Sequence, residues 1–256
     1  MTLHGIDISN LQSFPPVYRD QAWYQAAQFV IVQALTPPLG YPGHGTDISA
    51  QQMRAARDDG KHVGVYVWLW HSFSGAALKA DIAHRLSLVP DDVHLAMRPW
   101  LDVEDTTVGT VNDRRQDVLD ALEVMDAWAA AHGLPAAGMY TGDWFISEYL
   151  GGWFPPGRKY WLANYGMAPS VTEDQPVHQY TSNPIDSDVM LESEIVSSMD
   201  PIPQDYKDKF GQDVTWQGVA DNLEGIIHSL QDQLANTSDL AALKSKLDQI
   251  RGILDA

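Results

Sequence analysis

Two hydrophobic periods alternate along this chain. Short apolar runs are separated by longer stretches in which apolar residues recur every three to four positions, and these patterns predict strands and helices respectively. Gly5–Ser9, Phe29–Gln33, Gly64–Trp70, Trp100–Asp105 and Ala137–Thr141 read as five strands. Helical patterns follow each of them: Ala22–Gln28, Ser49–Asp59 with Ser49 as its cap, Ala76–Leu88, Asn112–His132, and a short stretch near Trp144–Tyr149. The fourth of these carries Val118, Leu122, Met125 and Ala129 on one stripe, and Gly133 stops it. Then the rhythm changes. Tyr160–Asn164 and Val177–Thr181 are strand-like with no helix between them, and a last short strand surrounds Asp186–Met190. Five βα units followed by bare strands predict an α/β fold, an irregular TIM-like (β/α)5(β)3 barrel followed by a C-terminal helical segment.

Asp200-Pro201-Ile202-Pro203 marks a boundary. The barrel is therefore expected over residues 1–199, a linker over 200–215, and a helical hairpin or coiled-coil tail over 216–256. In the tail, Leu223, Ile226, Leu230 and Leu234 form one apolar stripe, and Leu240, Leu243, Leu247, Ile250 and Leu254 form another. Helices this short need a partner surface: each other, the barrel, a second copy or a cell wall.

Composition narrows the chemistry. The 256 residues carry 34 Asp and Glu against 16 Lys and Arg, for a net charge of −18. No basic patch stands out, so nucleic acid is not an expected partner. No apolar run approaches the ~20 residues of a membrane span, so no membrane insertion is expected. The N-terminal residues lack a basic and apolar leader pattern, so no signal peptide is expected. With no cysteine, thiol catalysis and Cys-based metal sites are excluded. His71, His132 and His178 lack metal-ligand spacing, and no metal or cofactor is expected. Nine Trp and ten Tyr are plentiful; core packing is the default reading for some of them, and aromatic faces also suit the apolar faces of sugar rings.

The candidate chemistry lies in Trp100-Leu101-Asp102-Val103-Glu104-Asp105. On a strand, Asp102 and Glu104 share a face with Cα atoms roughly 6.5–7 Å apart. Two carboxyls at such a separation can work on one glycosidic bond, one donating a proton and the other stabilising charge. Neighbouring carboxylates and partial burial are expected to keep Glu104 protonated, with Asp102 ionised beside it. In βα barrels the functional residues gather at C-terminal strand ends, where Asp7, Asp102, Glu104, Tyr140, Asn164 and Tyr180 also fall. Trp68, Trp70 and Trp100 read as core.

In order along the chain, the residues resemble glycoside hydrolase family 25 lysozymes. Gly5-Ile6-Asp7-Ile8-Ser9 is similar to that family's Gly-x-Asp-x-Ser opening, Gly64-Val65-Tyr66 to its Gly-x-Tyr, and Leu101–Glu104 to its Leu-Asp-x-Glu. Tyr140-Thr141, Trp161-Leu162-Ala163-Asn164-Tyr165, His178-Gln179-Tyr180-Thr181 and Ile185-Asp186-Ser187-Asp188 continue the match. Three departures stand out: Gln33-Ala34-Leu35-Thr36 where the family often has Lys-Ala-Thr-Glu, His178 for a Trp, and Asp188 for an Asn.

The resemblance implies an N-acetylmuramidase acting on bacterial peptidoglycan, with Glu104 as general acid and Asp102, Asp7 and Asp186 as the other acidic positions. Asp102 either attacks the sugar or orients the substrate's acetamido group. Tyr66, Tyr140, Trp161, Asn164 and Gln179 are the expected substrate contacts. The chain also looks like a bacteriophage endolysin, held in the host cytoplasm until release onto the wall, whose residues 216–256 self-associate or bind the wall. The alternative is a non-catalytic glycan-binding or virion structural module on the same barrel.

Overall fold

A computed structural model describes residues 1–9, 18–34, 47–70, 72–106, 110–182 and 185–196. The chain divides into two units, Met1–Ser198 and Met199–Ala256, and every described residue belongs to the first. The expected linker and helical tail lie outside the described residues.

Eight strands close into a barrel in sequence order. They are β1 (Thr2–Ile8), β2 (Phe29–Gln33), β3 (His62–Trp68), β4 (Trp100–Asp102), β5 (Gly138–Gly142), β6 (Tyr160–Ala163), β7 (Val177–Thr181) and β8 (Ser187–Leu191). Helices α1 (Ala22–Ala26), α2 (Asp47–Asp58), α3 (Gly75–Leu86), α4 (Val111–Ala131) and α5 (Asp143–Tyr149) follow the first five strands. This is the (β/α)5(β)3 order that the patterning predicts. One feature is new: β8 runs antiparallel to both β7 and β1, while the other pairings are parallel. The start of β8 therefore lies at the same barrel end as the C-termini of β1–β7.

The strand period of two sorts the apolar residues into two cores. Val30 and Val32 of β2, with Ile6, Val65, Val67 and Leu101, pack with Leu78, Ile82, Val118, Leu122 and Met125 of the helices. Phe29 and Ile31 of the same β2 strand point the other way. They join Leu3, Met97, Trp100, Trp161, Val177 and Met190 in a second cluster that fills the barrel. The interior has room for these bulky side chains because three neighbours are glycine. A Cβ on Gly5 would come within 2.4 Å of the Phe29 ring, one on Gly64 within 2.5 Å of the Met97 sulfur, and one on Gly138 within 2.3 Å of Trp100.

The expected α4 stripe is buried along its length. Its start is set by a capping box in which the Thr110 hydroxyl accepts from the Asp113 N–H and the Asp113 carboxylate accepts from the Thr110 N–H. Gly133, at φ +68°, supplies the left-handed residue just past its end. Ser49 does not cap α2. That helix already starts at Asp47, and the Ser49 hydroxyl is buried within it without a hydrogen bond. Trp100 is core, but Trp68 and Trp70 are half-buried and stacked at 5.8 Å beside the C-terminal end of β3.

Candidate active site

Five carboxyls gather at the C-terminal mouth of the barrel. Asp7 is the penultimate residue of β1, and Asp102 ends β4. Glu104 lies two residues beyond that strand. Asp186 precedes β8 and Asp188 lies within it. The antiparallel direction of β8 is what delivers the last two, since Ile6 faces Ser187 in register and the Asp7 N–H donates to the Asp186 carbonyl at 3.3 Å. The sequence-predicted acids Asp7, Asp102, Glu104 and Asp186 are thus brought together, and Asp188 joins them. Among the described residues, no Lys or Arg forms an ion pair with any of the five. No group of three or more His, Asp or Glu among the described residues is arranged to hold a metal ion.

Neutral donors hold the cluster instead. Gln179 is the hub: its Nε2 donates to Asp7 Oδ2 at 2.7 Å, while its Oε1 accepts from the hydroxyls of Tyr140 at 2.9 Å and Tyr165 at 2.6 Å. Trp161 Nε1 donates to Asp188 Oδ1 at 2.9 Å. The Trp161 ring packs against Tyr140, Trp100 and Tyr66 at centroid distances of 4.6, 5.8 and 6.2 Å. Gln179, Trp161 and Tyr66 are buried. As they stand, Gln179 and Trp161 bond to carboxyls instead of opening onto solvent, and Tyr66 packs below them.

Burial raises the proton affinity of all five acids, and like charge adds to it for Asp7, Asp102, Glu104 and Asp188. Burial, reinforced by Asp186, pushes Asp7 up to about 7. Burial also drives Asp102 well above the usual carboxylate range, with Glu104, Asp7 and Asp186 adding to it. Glu104 is raised by burial and then by Asp186, and Asp186 by burial. Burial thus acts on Asp102 as well as on Glu104, whereas the sequence-based expectation has Asp102 ionised beside a protonated Glu104. The strand ends at Asp102, leaving this side chain 4% exposed with one oxygen lacking a hydrogen bond, while Glu104 lies past the strand and is half-buried.

Glu104 forms part of the wall of a cleft of about 450 Å³, together with Tyr140, Asp143, Trp144, Ala163, Asn164 and Tyr165. Tyr140 and Asn164, both expected to contact substrate, line it. Asp143, Trp144 and Tyr165 were not anticipated. Trp144 and Tyr165 are 49% and 54% exposed, so two aromatic side chains present open surface on the cleft wall. Their positions just past β5 and β6 are the available signal, since residues beyond C-terminal strand ends face the mouth. A Cβ on Gly142 would come within 2.5 Å of the Trp144 indole, so glycine there permits the ring's position.

His178, which replaces the expected Trp, is buried and serves as a staple. Its Nδ1 accepts from the Ser170 N–H at 3.0 Å, so Nε2 carries the proton and donates to the Asn164 carbonyl at 3.1 Å. It fixes the backbone of Asn164 from behind the cleft.

The profile of the glycosyl hydrolases family 25 matches residues 6–189, from β1 into β8. No curated protein matches the sequence. Among solved structures, the fold is similar to that of a family GH25 lysozyme from Aspergillus fumigatus, with a TM-score of 0.56, 18% identity, and 81% of this chain and 98% of that one covered. It is similar also to a muramidase from Acremonium alcalophilum, at 0.56 and 17%, covering 74% and 93%. The spore cortex lytic enzyme SleM from Clostridium perfringens matches at 0.55 and 16%, covering 76% and 69%.

Proposed function

The chain belongs to glycosyl hydrolases family 25, and from that premise we propose that this glycoside hydrolase is an N-acetylmuramidase, cleaving the β-1,4 bond between N-acetylmuramic acid and N-acetylglucosamine in bacterial peptidoglycan. The observation that carries the reading is Glu104: a carboxyl with raised proton affinity, on the wall of an open cleft, backed by four more acids and by no paired cation among the described residues. Such a group holds a proton at a pH where an ordinary glutamate would not, and can deliver it to the leaving glycosidic oxygen. The positive charge that develops on the sugar then faces Asp7, Asp102 and Asp186, which ionise more readily once that charge is present.

Burial of Asp102 favours the substrate-assisted route over direct attack. A sealed carboxyl that resists ionisation is a poor nucleophile, whereas a substrate N–H would satisfy it. In this reading the acetamido oxygen attacks the anomeric carbon and Asp102 accepts the acetamido N–H. Trp144 and Tyr165 offer faces on which sugar rings stack, and Asn164 offers a polar contact beside them.

Clearing of bacterial walls by the wild-type chain and by Glu104→Gln, with analysis of the released muropeptides, tests this function. New reducing ends on muramic acid from the wild type and none from the variant are expected. Reducing ends on glucosamine, or clearing that persists in Glu104→Gln, would overturn it. Our proposed setting is bacteriophage lysis, which the sequence resemblance supports. The chain expressed inside a bacterium should then leave the culture turbid until the membrane is permeabilised.

A further inference from the structure

Asp188 is the one acid of the mouth with no role in the reaction as described above, and its surroundings assign it one. It is 0% exposed. Its Oδ1 accepts from Trp161 Nε1, but its Oδ2 is sealed with no donor aimed at it. Asp7 lies on the neighbouring strand, two residues from the Gly5 that faces Asp188 in register, and its charge acts on Asp188. Asp7 already accepts the Gln179 amide on Oδ2. The groups facing Asp188 come from every neighbouring element: Gly5 and Asp7 on β1, Trp161 on β6, Gln179 on β7 and Asp186 just before β8. None of them is a cation. Two buried carboxyls on adjacent strands, with no cation among the groups facing them, resist ionising together, and a single proton between them satisfies both.

We infer that Asp188 is a neutral carboxylic acid whose Oδ2–H donates to Asp7, making Asp188 the positioning residue that fixes the Asp7 carboxylate against the cleft. Burial and the Asp7 charge drive Asp188 well above the usual carboxylate range, whereas hydrogen bonds from Gln179 and Asp188 ease the ionisation of Asp7. The proton therefore stays on Asp188. A protonated carboxyl presents one donor and one acceptor, as an Asn amide does, which accounts for Asp at a position where the family pattern carries Asn. The proton is argued from two buried carboxyls on adjacent strands, one with an unpartnered oxygen, and its consequence for turnover rests on reading the mouth as the active site.

The experiment uses the full chain labelled with ¹³C at the aspartate carboxyls. Its NMR titration should contain an Asp resonance that remains at the protonated position at pH 8, above the value of about 7 for Asp7, and is absent from Asp188→Asn. Finding the Asp188 resonance at the ionised position at pH 8 would overturn the inference, whatever the activity. For turnover, Asp188→Asn keeps a donor toward Asp7 and should clear walls within about 3-fold of wild type. Asp188→Leu, of similar bulk but without the donor, should be slower by about 30-fold or more. Equal loss in both variants would remove the positioning role. If the wild type itself clears no wall, the muramidase reading fails while the titration still decides the proton.

Discussion

Both ends of this barrel bury acidic side chains, and they treat them in opposite ways. At the N-terminal end, Glu194 follows β8 and pairs with Arg98, which precedes β4, at 2.6 Å. That guanidinium also donates to the Ala136 carbonyl and lies over the Trp100 ring. At the C-terminal mouth, Asp7, Asp102, Glu104, Asp186 and Asp188 have neutral donors or none. A buried carboxylate beside its cation is a closed arrangement that fixes the fold. Buried carboxyls without a cation hold protons tightly, and a cationic sugar can later supply the missing charge. The lesson is that burial alone does not identify a working acid; burial without a compensating charge does.

The largest effect should come from removing the donor proton. Glu104→Gln should lower wall clearing about 10³-fold, within the range for a positioned general acid, while leaving thermal stability equal or higher because one like charge is gone. A large fall in melting temperature would instead make Glu104 a structural residue like Glu194. At the other end the expectation reverses. Arg98→Met leaves Glu194 buried without its partner and should cost about 3 kcal/mol of stability, read by denaturant unfolding. The pH profile of the surviving activity should not move, and a shifted profile would mean that the two ends are not separable.

The pH dependence of stability sharpens the contrast. The mouth acids have folded pKa values above their unfolded ones, Asp7 lying at about 7 against 3.8. The folded state therefore binds more protons than the unfolded state between those values. The resulting stability is fully present below about pH 4 and is lost as pH rises through 7. Melting temperature should rise on acidification from pH 8 to pH 5, and Asp7→Asn should flatten that slope. A slope unchanged in Asp7→Asn would place the linkage elsewhere.

These effects were unequally legible in the sequence. The apolar runs locate all eight strands to within three residues at either end, because a short uninterrupted run such as Phe29-Val30-Ile31-Val32 is visible without a structure. The acids Asp7, Asp102, Glu104 and Asp186 were found from strand ends together with the family pattern. Strand direction leaves no mark on a two-residue period, so the antiparallel β8 was invisible, and with it the arrival of Asp188 beside Asp7. Periodicity also could not show that β4 stops at Asp102. The expected strand runs three residues too far, to Asp105, and the fuller burial falls on Asp102 and not on Glu104. The bonds of Gln179 to Asp7 and of Trp161 to Asp188 are equally invisible in sequence, because residue type does not tell which polar partner a buried side chain meets.

Packing beneath the mouth should tolerate less than its surface does. Gly138→Ala brings a Cβ within 2.3 Å of Trp100, whose ring packs on Trp161, the donor to Asp188. Overpacking of this kind should cost about 1–3 kcal/mol. If the mouth depends on that stack, activity measured well below the melting temperature should fall as well. Full activity in a destabilised Gly138→Ala would mean that the Trp161 hydrogen bond survives a displaced floor.

The smallest predicted change tests the neutral donors themselves. Tyr165 donates to Gln179 Oε1, which also accepts from Tyr140, so Tyr165→Phe leaves the hub one donor instead of two. The lost bond should cost about 1 kcal/mol, and rotation of the amide is still opposed by Tyr140. Wall clearing should fall only a few-fold, because Gln179 Nε2 keeps its bond to Asp7. The ring remains to stack on sugar, so binding to soluble glycan fragments should be nearly unchanged. Tyr165→Ala removes both hydroxyl and ring, and the gap between the two variants measures the stacking face apart from the hydrogen bond. If Tyr165→Phe is as impaired as Tyr165→Ala, the hydroxyl carries the whole effect, and the mouth's neutral donors matter nearly as much as the cation that holds Glu194 at the other end.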